Sequence, residues 1–130
     1  DGTSQIQVNA AIGGIVTGMG ARGFLREYLE CEWDHFDGAE TGLLDELRDT
    51  FEQCIHRYRE LSGNEKESMA ANLVEGAARL LCAMLYYRST LRIEGDSRMR
   101  RLELCRIYQL DCISFMAGLE RRLSMQAVTV

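Results

Sequence analysis

Apolar residues recur along this chain at steps of three and four, the spacing of helices that turn one stripe toward a core, and nowhere in a sustained alternation of two. The clearest stretch runs over 41–62, where Leu43, Leu44, Leu47, Phe51, Cys54, Ile55, Tyr58 and Leu61 fall on one side of a 3.6-residue wheel. Thr41 is placed to cap its start, and Gly63 with Asn64 to end it. From 65 to 91 the pattern changes. Between Ala77 and Tyr87 the one charged residue is Arg79, and a helix apolar on nearly all sides belongs in the middle of a bundle. At about 27 residues it should be on the order of 40 Å long.

Gly95 marks the next turn, and Asp96 or Ser97 opens a third long helix over 97–125. Its main face is Leu102, Cys105, Cys112, Ile113, Met116, Leu119 and Leu123. A second, weaker stripe of Ile107, Leu110 and Ala117 lies opposite, which implies burial between neighbours or a contact with another molecule. Residues Ala127 to Val130 should fray.

A shorter helix precedes these three, over 23–36, with Phe24, Leu25, Tyr28, Leu29 and Phe36 apolar and Asp37-Gly38 as its stop. The first 22 residues read less simply. Val8, Ile12, Ile15, Val16 and Met19 make a helical stripe over about 6–19, yet Gly13, Gly14, Gly18 and Gly20 would each cost a helix up to about 1 kcal/mol relative to alanine. The other option is an extended arm docked on a second subunit.

The composition fits this picture. The 130 residues contain no proline, the residue that breaks helix interiors, and 46% are hydrophobic, enough to bury a core in one domain over 1–130. The fold expected is therefore all-α, a bundle of four to five helices, paired as a homodimer.

Charge is distributed unevenly. The chain carries a formal −5, but Glu27 to Glu60 has 11 acidic residues against 3 arginines (net −8), whereas Arg88 to Arg122 has 8 arginines against 5 acidic residues (net +3). Net acidity argues against general polyanion binding, and asymmetry favours specific protein partners. The cluster Arg98, Arg100, Arg101 and Arg106 could meet phosphates, but Glu94, Asp96 and Glu103 are interleaved with it, so a solvated or partner-pairing surface is the expectation rather than nucleic acid. A single lysine among 15 basic residues fits a GC-rich bacterial genome.

Five cysteines, Cys31, Cys54, Cys82, Cys105 and Cys112, form no C-x-x-C pair. An odd count in a chain able to make a core points to reduced, buried thiols in a cytoplasmic protein. No run of about 18 apolar residues would span a bilayer, and the run from Ala10 to Gly20 lacks the basic flank of a signal peptide.

Candidate chemistry is sparse. Gly18 to Gly23 spells G-x-G-x-x-G, but no second strand follows to make a dinucleotide fold, so a glycine hinge between two helices is expected instead. Glu32 and His35 have the Glu-x-x-His spacing by which a bundle helix gives two ligands to a di-iron centre. A second pair is missing from the chain, because Glu52 and His56 fall on a polar face. Only a dimer could supply it, which makes a ferritin-like metal-binding oxidase the alternative reading. Cys31 with His35 lacks further ligands or an orienting third group.

Glu32 nevertheless sits on an apolar face and needs a partner. Arg88, on the core stripe with Leu73, Ala77, Leu81 and Met84, is that partner; Gln109 is likewise on a core face. These three are expected to be satisfied buried polar groups or to line a groove.

The function expected is thus non-catalytic, with no cofactor and no metal. The chain reads as a small helical regulator, an inhibitor, anti-activator or chaperone-like protein, that binds another cytosolic protein and changes its assembly or activity. The partner-binding residues expected are Met99, Arg100, Arg101, Ile107 and Leu110. A small-ligand pocket walled by Trp33, Tyr86 or Tyr87 is a third reading.

Overall fold

The computed structural model describes residues 2–128, with side chains over 7–126. Five helices follow one another, α1 (Gly2–Gly18), α2 (Phe24–Asp34), α3 (Gly42–Arg59), α4 (Gly63–Leu91) and α5 (Ser97–Val128), and there is no strand among the described residues. Residues 129 and 130 of the tail expected to fray lie outside the described residues, and α5 itself runs on to Val128.

Pairwise contacts define the packing direction. Tyr86 meets Tyr108 at 6.1 Å between ring centroids, and Arg79 lies 4.4 Å over the Phe115 ring, so α4 and α5 run antiparallel. The start of α3 shares a groove with Leu102 and Gln109, while Cys54 Sγ reaches Met116 O at 3.8 Å; α3 and α5 therefore run parallel, side by side. The short helix α2 runs against α3 in the opposite sense, tied by Arg26 to Glu52 at one end and Trp33 to Asp45 at the other.

One buried cluster holds these elements together. Phe51, Leu44, Leu47, Leu73, Leu80, Met84, Met116 and Leu123 are fully covered, and Ile12, Ile15 and Val16 of α1 pack against them. The central role of α4 follows from its composition: it touches α1, α3 and α5. By length and composition alone α4 could also cross a membrane. Here that apolarity is used inside the bundle, where Met69, Leu73, Ala77, Leu80, Ala83 and Met84 are buried.

Several local expectations need correction. The first segment is the helix that its apolar stripe predicted rather than the alternative arm; only its bounds shift, to Gly2–Gly18. Carbonyls in its last turn and just beyond it are met by cations: Arg59 donates to Val16 O (2.7 Å) and Arg26 to Met19 O (2.9 Å). The glycine hinge then allows a sharp corner. A Cβ on Gly23 would lie 2.1 Å from Gly18 O, a distance no side chain could occupy.

Thr41 occupies the N-cap position of α3 and its carbonyl accepts the Asp45 N–H (2.8 Å), but its hydroxyl bonds no backbone N–H; it donates to Asp45 Oδ2 (3.0 Å), and Glu40 Oε1 accepts the Gly42 N–H (2.9 Å). Gly63 does not end α3. That helix stops at Arg59, and Gly63 is already the first residue of α4. The cause is Ser62, whose N–H and hydroxyl both donate to Glu65 Oε1 (2.9 and 2.6 Å). These bonds favour the charged carboxylate and hold the Glu65 pKa below its ordinary value. Gly95, at φ 90°, makes the left-handed turn into α5.

Candidate functional site

The last helix shows two different sides. Cys105, Gln109, Cys112, Met116, Leu119 and Leu123 face the core, whereas Met99 (73% exposed), Leu104 (50%), Ile107 (56%) and Leu110 (44%) face out. On a helix each step of three residues falls about 60° short of a full turn. Leu104, Ile107 and Leu110 therefore trace a diagonal across the exposed side of α5. The Leu104 end lies on the flank toward α4, next to Tyr108, and the Leu110 end on the flank toward α3, with Met99 and Arg106. Arg100 stands two turns before Ile107, and Arg100, Arg101 and Arg106 are exposed. None of the three joins an ion pair among the described residues. The outer side of α5 thus sets four large exposed apolar side chains among guanidinium groups that have no ion-pair partner among the described residues.

Beside this edge, α3 and α5 leave a groove of about 510 Å³. Leu43, Leu102 and Tyr87 form its apolar wall, Glu40 and Glu46 stand on the α3 rim, and Arg106 stands on the α5 rim. Tyr87 is fixed by its hydroxyl, which donates to Glu40 O (2.5 Å), and burial raises its pKa. Gln109 also lines the groove. Only 6% of it is exposed, and its amide Nε2 finds a weak acceptor in Cys105 Sγ at 3.7 Å.

Glu32 is buried on α2 and accepts a hydrogen bond from Arg88 Nη1 of α4. That salt bridge ties α2 to the central helix. His35 is exposed beyond the end of α2, where its backbone N–H bonds Glu32 O. The Glu-x-x-His spacing thus puts its two side chains in different surroundings, with the carboxylate engaged by a guanidinium. His56 pairs with Glu60 (3.0 Å), and Glu52 with Arg26 (2.7 Å). No three His, Cys, Asp or Glu side chains converge among the described residues.

The cysteines divide by burial. Cys54, Cys105 and Cys112 are buried, and burial pushes the Cys54 thiol up to about 12 and the Cys105 thiol to about 11. Cys31 and Cys82 are exposed. Each of the three aromatic residues considered as a pocket wall borders a surface depression. Trp33, however, is occupied, with Nε1 donating to Asp45 Oδ1 (2.7 Å) and Arg48 stacked 4.8 Å over its ring. The Tyr86 depression lies along the outside of α4, with Leu85, Arg88, Ser89 and Arg92, and the Tyr87 depression is the α3/α5 groove.

Sequence reasoning singled out Met99, Ile107 and Leu110 but not Leu104, which belongs to the same edge; its spacing of three from Ile107 was the available signal. The groove was not visible in the sequence. Leu43 and Leu102 read there as ordinary core, and the parallel alignment of α3 with α5 that makes them neighbours arises only on folding. No protein-family model matches the chain, and comparison with curated proteins and with solved structures likewise found no match.

Proposed function

We propose that this chain is a small, non-catalytic helical regulator, an inhibitor, anti-activator or chaperone-like protein, that works as a homodimer and binds another cytoplasmic protein through the outer edge of α5. The observation that carries this reading is the exposure of Leu104, Ile107 and Leu110 across one helix side, beside Met99 and beside Arg100 and Arg101, which have no ion-pair partner among the described residues. Large apolar side chains at this density on an outward face are stabilised by transfer to a partner, at about 25 cal/mol per Å² of apolar surface removed from water. The arginines select a partner whose apolar stripe is bordered by carboxylates.

The test is affinity capture of the full chain from its native host, with mass spectrometry. A specific protein retained through salt washing supports the reading. Its absence, from cells that express the chain, would overturn it.

A further inference from the structure

The α3/α5 groove has a property that the outer edge of α5 lacks: its two rims carry opposite charges. Glu40 and Glu46 border it on the α3 side and Arg106 on the α5 side, with Leu43, Leu102 and Tyr87 between them. The same division holds along the chain, since the segment containing α2 and α3 is strongly acidic and the segment containing α5 is basic. Most exposed surfaces have no reason to fit themselves. A strip with acid on one edge, base on the other and apolar side chains in the middle does, because a two-fold axis along the strip exchanges its edges.

We infer that a second copy of this chain covers the groove, with Glu46 of each protomer set against Arg106 of the other. The inference rests on the homodimer proposed above and assigns its interface. The symmetry axis runs parallel to α3 and α5, which already lie side by side in the same direction. α3 of one protomer is laid over α5 of its partner, and the reverse, in a four-helix layer. Each Glu46 to Arg106 contact therefore occurs twice for one sequence position. Leu110 and Met99 do not line the groove and lie at the border between this interface and the outer edge. Leu104, Ile107, Arg100 and Arg101 remain outside it, free for a different protein. The two surfaces are thus divided, dimerisation in the α3/α5 groove and partner binding on the outer edge of α5.

The experiment is a charge exchange read by sedimentation equilibrium. Glu46 and Arg106 are both exposed, so reversing either leaves the core untouched. Wild-type chain should sediment at twice its 14.7 kDa mass. Glu46→Arg sets arginine against arginine twice, Arg106→Glu sets glutamate against glutamate twice, and each should raise the dimer dissociation constant at least about tenfold. Mixed in equal amounts, the two variants should recover dimer, as should the double variant Glu46→Arg/Arg106→Glu.

A wild-type chain that stays monomeric at about 100 µM, more than ample for an interface of ordinary strength, overturns the dimer and this interface together. A wild-type dimer that both single variants leave intact overturns the interface alone. Failure of the mixture to recover, with both variants folded by circular dichroism, overturns the pairing of Glu46 with Arg106.

Discussion

Replacing Arg88 by methionine tests how α2 is held. The guanidinium carries the one salt bridge between α2 and the central helix, and the side chains of Glu32 and Arg88 are 11% and 24% exposed. Breaking a fully buried pair costs about 3–5 kcal/mol, mostly because the remaining charge is left without compensation. Here about a quarter of the arginine reaches solvent, and water can follow it toward the carboxylate, so about 2–3 kcal/mol is expected for Arg88→Met. Glu32→Leu should cost less, about 1 kcal/mol, since the longer guanidinium can swing into water. The double variant Glu32→Leu/Arg88→Met replaces the pair by apolar groups of similar size and should return to within about 1 kcal/mol of wild type. Urea denaturation followed by circular dichroism gives the four free energies of this cycle. A coupling below about 0.5 kcal/mol, with Arg88→Met no less stable than wild type, would refute the view that this pair fixes α2.

Three further outcomes follow from individual positions. Gly23→Ala should destabilise the fold by more than about 2 kcal/mol, because its Cβ meets Gly18 O at 2.1 Å, whereas Gly13→Ala, in open space within α1, should stabilise it by up to about 1 kcal/mol; thermal melting of both variants separates steric need from helix propensity. Glu65 has a lowered pKa in the folded state, so its bonds to Ser62 stabilise the protein above the ordinary carboxylate pKa and are lost as pH falls through the folded value; the stability gap between wild type and Glu65→Ala should therefore narrow as pH is taken from about 6 to about 3. A thiol reagent should label Cys31 and Cys82 rapidly in the native protein and reach Cys54, Cys105 and Cys112 only on unfolding, with fast labelling of Cys54 contradicting its burial.

How much of this was legible in the sequence depended on whether a feature was local. The α3 stripe from Leu44 to Tyr58 and the apolar α4 read correctly because side chains one turn apart share a face whatever the rest of the chain does. The Glu32 to Arg88 pair was also accessible, since a carboxylate and a guanidinium on two core-facing stripes must find partners. Helix ends were harder. Gly63 looked like a stop because glycine usually follows a helix, but Ser62 and Glu65 together make a start there, and the stronger hydrogen bonds prevail. The α3/α5 groove and the alignment of Glu46 with Arg106 depend on which helices become neighbours and in which direction, and periodicity carries no information on that. Leu102 and Ile113 read as core for the same reason, although each lies at the edge of it.

The central claim is that the outer edge of α5 binds another protein. It is tested most directly by a paired capture from the native host, comparing wild type with Ile107→Glu, a substitution at an exposed position that leaves the core and the α3 flank unchanged. The account predicts a specific protein retained by the wild type and depleted at least about tenfold by the variant, about 1.4 kcal/mol or more of lost affinity, with melting temperature and dimer mass unaltered. Equal recovery of that protein by both baits would contradict it.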